Sequence, residues 1–546
     1  MKTQGPADLV IFNASIISDG LNKPANLAAV ADGRFNYVGE FDGALIGPDT
    51  RQIDAQGRTV IPGLIDSHLH MLWGGVNLNS GVDLRPARSR REFIEIIQNH
   101  ITSKKLAPSQ WITGGRWATE SWVHPDEPTR HWIDNITAKN PTLLSRMDGH
   151  SALANSAALQ LANISAQSPD PPGGRIERNP ETGEPTGILR ESAIGLVRKF
   201  RPKPTLDEQI AGCRSAAKLA LTHGITSVGD IVESNTLEAY QDLANSDPAD
   251  HPDETVRIFM YVSDHHWEQL IPDIQQFQSK PNWVQIAGLK DYIDGSLGSK
   301  TAAMHEPYLP RKNSADSSES NFGLFMDGIR EGRLKKNLEI ARDSNLQPIY
   351  HAIGDEATHV LLETLQEIIP NQDQRRALRP RIEHAQHLLA EDLSRIATLG
   401  IIASMQPYHK FDDARTMAKY LGEKRCANSY MFRSLLEENI PIAFGSDWPI
   451  VTMNPFSAIE TAVNNTTALG RSWHPDESIT IKQALRCYTT FPAFALHAEN
   501  EIGRIAPGYR ADFVILNHSP FDEKFESFEE IHPLLTALEG RVVFES

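Results

Sequence analysis

The residues most able to do chemistry are histidines at the ends of strand-like segments. His68 and His70 are separated by one residue in an extended run, so both side chains point to the same face of one strand. Two neutral imidazoles at this spacing can hold one divalent ion as a pair. A lone His-x-His pattern is more often two packed histidines, so a metal site here depends on further ligands elsewhere in the chain.

Four further candidate ligands follow strand-like runs at other places in the sequence. They are Lys290 in GLKDYIDGSLGSK, His351 in IYHAIGD, His384 in IEHAQ and Asp447 in FGSDWP. The 33 residues from His351 to His384 match one βα unit, and the 63 residues from His384 to Asp447 match two. This register predicts ligands at the carboxyl ends of strands one, four, five, six and eight, which favours a metal site over packed histidines.

The segment that must position these ligands runs from about residue 61 to residue 446, and apolar strands alternate there with helical stretches. Eight candidate strands occur along it: VIPGLIDSHLH, GITSVGD, RIFMYVS, QIAGLKDYIDG, QPIYHAIGD, RIEHAQ, IIASMQP and PIAFGSDWP. Near-continuous apolar strands separated by helices indicate a parallel sheet that is buried on both faces. Eight such units predict an α/β fold of the (β/α)8 barrel type.

Two departures from the barrel pattern define the remaining organisation. His68 and Ile225, on strands one and two, are 157 residues apart, so a large insertion after strand one is predicted to cover or shape the active site. The two ends of the chain contain short strands with turns, and we expect them to complete one β-rich domain. The predicted domains are residues 1–60, the barrel domain 61–497 with its insertion at about 75–204, and residues 498–546.

The composition excludes several classes of protein. The 546 residues include 53 Lys and Arg against 70 Asp and Glu, and the net charge of −17 disfavours a nucleic-acid partner. No apolar run approaches the roughly 18–20 residues that a membrane span needs, and the first residues lack a secretory signal, so we expect a cytoplasmic protein. The three cysteines form no Cys-x-x-Cys pair, which argues against a disulfide framework or a thiolate zinc site.

Several motifs taken together resemble one known family. The candidate ligands lie in the segments PGLIDSHLH, KDYIDGSLGSKTAA, HAIGDEA, RIEHAQ and GSDWP. Further segments are RMDGHSALANSAAL, PPGGRIERNPETGEPTGILRE and GRIAPGYRADFVIL. Over essentially the whole chain this combination resembles the amidohydrolase superfamily, in the YtcJ-like branch that includes N-substituted formamide deformylase. The resemblance implies a TIM barrel with a composite β-sandwich built from both termini.

The resemblance also implies a role for each candidate ligand. One divalent metal, with Zn²⁺ expected, would be held by two histidines of the first strand and an aspartate of the eighth, and a second metal by two more histidines. A lysine that has reacted with CO₂ would bridge the two metals as a carbamate. The implied ligands are His68, His70 and Asp447 for the first metal, His351 and His384 for the second, and Lys290 as the bridge.

Lys290 has an alternative interpretation. An ammonium group would repel two cations, whereas a carbamate is an anion with two ligand oxygens. The alternative is an ordinary lysine that pairs with Asp291 or Asp294, and in that case a single-metal site remains. The sequence leaves both interpretations open.

The ligand set predicts a hydrolase. One or two Zn²⁺ ions would lower the pKa of bound water toward ~7 and polarise a carbonyl group. Asp447 would accept the water proton and pass it to the leaving nitrogen. We therefore expect hydrolysis of a carbon–nitrogen bond in a non-peptide amide or formamide-like small molecule. The alternatives are a lactone or ester hydrolase with the same site, and a non-catalytic regulatory protein on this scaffold.

The insertion contributes two candidate substrate contacts, His150 and Trp117. Packing within the insertion is an equally good interpretation of both residues. The expected partner is the small-molecule substrate, with no nucleic acid and no membrane, and a homodimer is left open.

Overall fold

The computed structural model describes residues 6–546 except for 118, 120, 121, 125, 148–150, 172, 173, 281, 282, 311–320, 471 and 523–526. The chain divides into two compact units. One unit combines the residues up to Met71 with Ala216–Ser546, and the other is Leu72–Ser215. All of the predicted metal ligands belong to the first unit.

The first unit contains a sheet of eight parallel strands, which follow one another in the sheet in chain order. The N–H of Asp447 donates to the carbonyl of His68 at 2.7 Å, and the N–H of His70 donates to the carbonyl of Trp448 at 2.8 Å. These bonds join the end of the last strand to the first, which confirms the predicted (β/α)8 barrel. The strands are β1 (Leu64–Leu69), β2 (Ile225–Glu233), β3 (Arg257–Ser263), β4 (Val284–Tyr292), β5 (Gln347–Ala352), β6 (Arg381–His384), β7 (Ile402–Met405) and β8 (Ile442–Phe444).

Closure of the barrel depends on Gly445, which follows β8. A Cβ atom at this position would lie 2.6 Å from the backbone nitrogen of His68 and 3.0 Å from its carbonyl oxygen. Real side chains do not approach a backbone so closely, so only glycine allows the segment that leads to Asp447 to lie against β1.

Helices alternate with the strands of the barrel. The helix Asp355–Ile368 is typical: it begins three residues after β5, with two acidic side chains in its first turn that suit the positive end of the helix dipole. Its buried side chains, which include Leu361 and Leu365, recur at helical spacing along one face. The helix Leu206–Thr222 belongs to this unit from Ala216 onward. The other α-helices of this unit are Leu237–Asn245, Trp267–Gln276, Leu334–Ser344, Gln372–Leu378, Leu393–Leu399, Pro407–Asp413, Met417–Leu421, Glu423–Cys426, Phe432–Glu437, Pro455–Asn464, Ile481–Cys487 and Thr490–Ala495.

Both ends of the chain contribute to a pair of packed β-sheets. The five-stranded sheet contains, in order, Ser15–Ile16, Thr59–Pro62, Phe513–Leu516, Pro533–Leu538 and Arg541–Glu545. The four-stranded sheet contains, in order, Arg34–Gly39, Leu27–Ala31, Leu9–Phe12 and Arg51–Asp54. Apolar side chains of both sheets share one buried cluster, in which the rings of Phe35 and Phe513 lie 6.4 Å apart. The sheets form the expected composite sandwich.

The second unit, Leu72–Ser215, has a sheet and a core of its own. Its mixed six-stranded sheet has the order Gly174–Arg178, Pro185–Glu191, Ser151–Ala154, Leu143–Arg146, Thr113–Trp117 and Gly81–Asp83. Its helices are Arg90–Ser103, Arg130–Thr137, Ser156–Leu161 and Ala193–Arg198, and the helix Met71–Ser80 leads into it. The sequence predicted an insertion at about 75–204 without predicting this sheet.

Crossing a membrane requires a helix of sufficient length and apolarity. None of the described helices is both long enough and apolar enough to cross a bilayer.

That the two terminal segments fold as one domain is a prediction that truncation can test. The guanidinium group of Arg257, buried on β3, pairs with Asp512 at 3.0 Å and with Glu539 at 3.2 Å. Removing residues 511–546 would take away both carboxylates that pair with this buried charge and expose the apolar edge of Thr59–Pro62. We expect the truncated chain to accumulate as insoluble protein, measured as the soluble fraction against the full chain. Soluble, fully active truncated protein would refute the composite domain.

Candidate metal centre

Three of the predicted ligands converge at the carboxyl end of the barrel. His68 lies on β1, His384 ends β6, and Asp447 follows β8, and one ligand atom from each lies within 4.8 Å of the others. All three side chains are buried. The Oδ1 atom of Asp447 is 3.4 Å from Nε2 of His68 and 3.2 Å from Nε2 of His70. The two histidines of the His-x-His pattern thus face one carboxylate oxygen, as a shared metal requires.

The other two predicted ligands lie on the neighbouring strands. The ring of His351 on β5 is 4.5 Å from the ring of His384, measured between centroids. Lys290 on β4 is 1% exposed, and its Nζ lies 3.8 Å from the centre of the Tyr292 ring. His351 therefore belongs to the histidine cluster, and Lys290 is buried on the neighbouring strand.

The two carboxylates that could have neutralised Lys290 have other partners. Asp291 accepts hydrogen bonds from Arg333 at 3.1 Å and Asn337 at 3.0 Å. Asp294 accepts from three backbone N–H groups, at 2.8–3.0 Å. The Nζ of Lys290 lies 3.4 Å from the backbone carbonyl of Asp291 instead. Within the described residues, neither carboxylate forms the ion pair with Lys290 that the sequence left open.

Three histidines of the cluster each have one ring nitrogen next to a hydrogen-bond acceptor. Nδ1 of His384 lies 2.7 Å from the amide oxygen of Gln406, and Nε2 of His351 lies 3.0 Å from the carbonyl of Gly295. Nδ1 of His68 contacts the carboxylate of Glu383. When this nitrogen carries the ring proton and donates a hydrogen bond, the other ring nitrogen keeps a free lone pair. Proteins prepare imidazoles for a metal in this way. The residues present therefore fit a divalent ion.

Two of the site residues have a left-handed backbone. The φ angle is 76° at His384 and 57° at Asp447. Side chains other than glycine seldom adopt such angles, and they are concentrated at functional sites. Alternation along β6 would turn His384 away from Glu383, but with this φ both side chains reach His68, whose ring centroid is 5.1 Å from that of His384.

A buried charge network supports His68 from inside the barrel. Glu383 also accepts a hydrogen bond from Arg381 at 2.9 Å, and Arg381 donates to Tyr261 at 2.6 Å. Burial alone would raise the pKa of Glu383, but Arg381 and His68 outweigh it and lower that pKa to about 2. Burial would likewise lower the pKa of His68, but Glu383 and Asp447 raise it to about 9. A bound metal would take the place of the proton on Nε2 of His68, while Nδ1 would keep its contact with Glu383.

The site also contains Glu383, Gln406 and His409, which were not predicted from the sequence. Glu383 contacts His68, and Gln406 contacts His384. Nε2 of His409 lies 3.4 Å from Oδ2 of Asp447. Their positions in the sequence gave a weak signal, because Glu383 is adjacent to a predicted ligand and Gln406 follows β7 directly, with His409 three residues later. Nothing in their spacing showed which side chain each would contact.

His150 and Trp117 were the two predicted substrate contacts. His150 lies outside the described residues. Trp117 is 1% exposed in the core of the second unit, where its Nε1 donates to the carbonyl of Leu144 at 3.1 Å. This is the packing role that the sequence left open, and contact with a substrate stays a prediction for both residues.

The support that Glu383 gives to His68 leads to a prediction. Glu383→Gln keeps the shape of the side chain but removes the negative charge next to Nδ1 of His68. The affinity of the site for a metal should therefore fall by about 10–100-fold. The measurement is the Zn²⁺ dissociation constant by competition with a chelator. Glu437→Gln, at an exposed glutamate paired with Arg433, is the matched control. An unchanged affinity in a folded Glu383→Gln protein would contradict the role of Glu383.

Known proteins are similar to this chain over nearly its whole length. It is 36% identical to Protein LONG AFTER FAR-RED 3 of Arabidopsis thaliana over 95% of this chain and 88% of that one. It is 29% identical to the YtcJ amidohydrolase of Bacillus subtilis (strain 168) over 91% of both chains. It is 28% identical to N-substituted formamide deformylase of Arthrobacter pascens over 98% of both. These matches confirm the resemblance to the YtcJ-like branch.

Solved structures and family models agree with the sequence relatives. An uncharacterised metal-dependent hydrolase from Pyrococcus furiosus superimposes with a TM-score of 0.74 at 26% identity, covering 94% of this chain and all of that one. The model of the amidohydrolase family matches residues 51–544, which include the whole barrel and the metal centre. The chain therefore belongs to the amidohydrolase family.

Proposed function

We propose that this protein is a metal-dependent amidohydrolase that cleaves a carbon–nitrogen bond in a non-peptide amide or formamide-like small molecule. The observation that carries the proposal is the convergence of His68, His384 and Asp447 within 4.8 Å at the carboxyl end of the barrel. The similarity to N-substituted formamide deformylase supports the choice of bond. The family and the fold support hydrolysis in general.

The metal set of the proposal has two parts. His68, His70 and Asp447 would hold one divalent ion, and His351 and His384 a second, with Lys290 as a carbamate between them. Zn²⁺ is the expected ion because imidazole and carboxylate ligands suit it. Such an ion lowers the pKa of bound water toward ~7 and polarises the carbonyl that the water attacks.

The protein's own groups would then move the proton. Burial would raise the pKa of Asp447, but His68 and His70 outweigh it and hold that pKa well below its usual range. Asp447 is therefore a carboxylate at neutral pH, ready to accept a proton from the attacking water. Its Oδ2 faces away from the His-x-His pair, and this oxygen can return the proton to the leaving nitrogen.

The test combines metal analysis with a substrate panel. We expect turnover of N-formyl or N-acyl compounds by metal-replete protein, and loss of turnover after a chelator removes the metal. Turnover confined to lactones or esters would replace the proposed bond with a carbon–oxygen bond. A metal-replete protein that turns over no member of the panel would favour the non-catalytic alternative.

A further inference from the structure

His409 faces the metal centre from the segment that follows β7. It lies in the helix Pro407–Asp413, and its ring is nearly parallel to that of His384, at a centroid distance of 5.8 Å and an interplanar angle of 15°. Its Nε2 is buried, lies 3.4 Å from Oδ2 of Asp447, and forms no hydrogen bond within the described part of the chain. This nitrogen is aimed at one atom of the site.

The two oxygens of Asp447 have different surroundings. Oδ1 faces Nε2 of His68 and of His70, whereas Oδ2 faces Nε2 of His409. The backbone of Asp447 is fixed by its left-handed φ of 57° and by its 2.7 Å hydrogen bond to β1. With the backbone fixed, the two oxygens can exchange places only by rotation about the Cβ–Cγ bond of Asp447.

The helix that carries His409 is anchored by its other polar side chains. Lys410 is fully buried and contacts the amide oxygen of Asn465. Asp413 accepts a hydrogen bond from Tyr430 at 2.6 Å and contacts Gln386. These contacts fix the direction of the helix and hold the His409 ring beside the site.

We propose that His409 is a positioning residue that donates a hydrogen bond from Nε2 to Oδ2 of Asp447 and so keeps this carboxylate bound to the metal through Oδ1 alone. The present separation is about 0.2 Å beyond the usual N–H···O range, and hydrogen bonds of catalytic groups commonly tighten when the site is loaded. With Oδ2 held by His409, Asp447 stays monodentate. The coordination position that Oδ2 would otherwise fill stays open for water.

The consequence for the reaction rests on the proposed function. A monodentate Asp447 keeps one oxygen off the metal, and that oxygen is the one that can accept and return a proton. Without His409, Oδ2 is free to become a second metal ligand. The metal would then be retained, but the open position and the free oxygen would both be lost.

The experiment compares His409→Leu, which removes the donor, with His409→Gln, whose amide nitrogen can replace Nε2. Each protein is loaded with Co²⁺, whose visible absorption weakens as its coordination number rises. We expect His409→Leu to keep the wild-type metal content with a weaker visible band, and His409→Gln to restore the band. His251→Leu, at a half-exposed histidine in a loop before β3, is the matched control and should match the wild type.

Kinetics provide the second readout. We expect kcat to fall about 10–100-fold in His409→Leu with little change in KM, and to recover partly in His409→Gln. An unchanged Co²⁺ spectrum in folded His409→Leu would overturn the proposal. Loss of a metal ion from that variant would also overturn it, because His409 would then be a ligand. The Co²⁺ spectrum needs no substrate. A weaker visible band in His409→Leu, in a protein without hydrolase activity, would uphold this inference and reject only the proposed function.

Discussion

Asp447→Asn is expected to lower kcat by at least about 10²–10⁴-fold, the range typical of losing a general acid–base group. The substitution keeps the size of the side chain but removes both the proton acceptor and the negative charge that faces His68 and His70 at 3.2–3.4 Å. Asparagine tolerates the left-handed backbone at this position, where φ is 57°, so the variant should fold. The measurement is kcat at equal metal content.

Metal analysis separates the two roles of Asp447. If the variant lost its metal, the loss of rate would report on the ligand alone, so kinetics are compared at metal concentrations that saturate both proteins. Asp343→Asn, at an exposed aspartate paired with Arg342, controls for the general effect of the substitution. Near-native kcat in a metal-replete Asp447→Asn protein would show that Asp447 is not the base.

The barrel could be predicted because its signals are local. Each of the eight strands is a short apolar run followed by a helix, as in QPIYHAIGD, which contains β5 and leads directly into the helix Asp355–Ile368. The six-stranded sheet of the second unit could not be predicted in the same way. Its strands are short, and strands as different as Gly81–Asp83 and Pro185–Glu191 contribute to it without a common spacing.

In the candidate site, the positions of the ligands could be predicted from the sequence, whereas their contacts could not. His68, His351 and His384 could be predicted because the ends of parallel strands meet at one end of a barrel. The contact between His68 and Glu383 could not, because these residues are 315 positions apart and meet only when the barrel closes. The left-handed backbone of His384 also breaks the alternation from which a sequence pattern would infer side-chain directions.

Lys290 provides the second large expected effect. Burial lowers the pKa of its amine to about 8, against the opposing effect of the nearby Glu383, Asp291 and Asp447 carboxylates. Carbamate formation needs the neutral amine, which an ordinary lysine rarely supplies at neutral pH. At a fixed concentration of dissolved CO₂, the neutral fraction rises about fivefold between pH 7 and pH 8, so reconstitution of the apo protein should improve over this interval.

Lys290→Ala should lose metal and reduce activity by more than about 100-fold, because His351 and His384 alone supply fewer than the three protein ligands usual for a catalytic zinc. A carbamate oxygen would complete that set. A short carboxylic acid such as propionate would supply two oxygens in place of the carbamate. We therefore expect added acid to restore part of the metal content and part of the activity, measured together.

Lys410→Ala is the control that separates the loss of the carbamate from the general effect of removing a buried lysine side chain. Lys410 is also fully buried, with a pKa lowered by burial to about 8, but its amine contacts Asn465 rather than the histidine cluster. Acid should therefore rescue Lys290→Ala and leave Lys410→Ala unchanged. Mass spectrometry of the native protein supplies the direct check, as a gain of one CO₂ at Lys290. An active, metal-replete enzyme with unmodified Lys290 would exclude the bridge, and the site of His68, His70 and Asp447 would then act with a single metal.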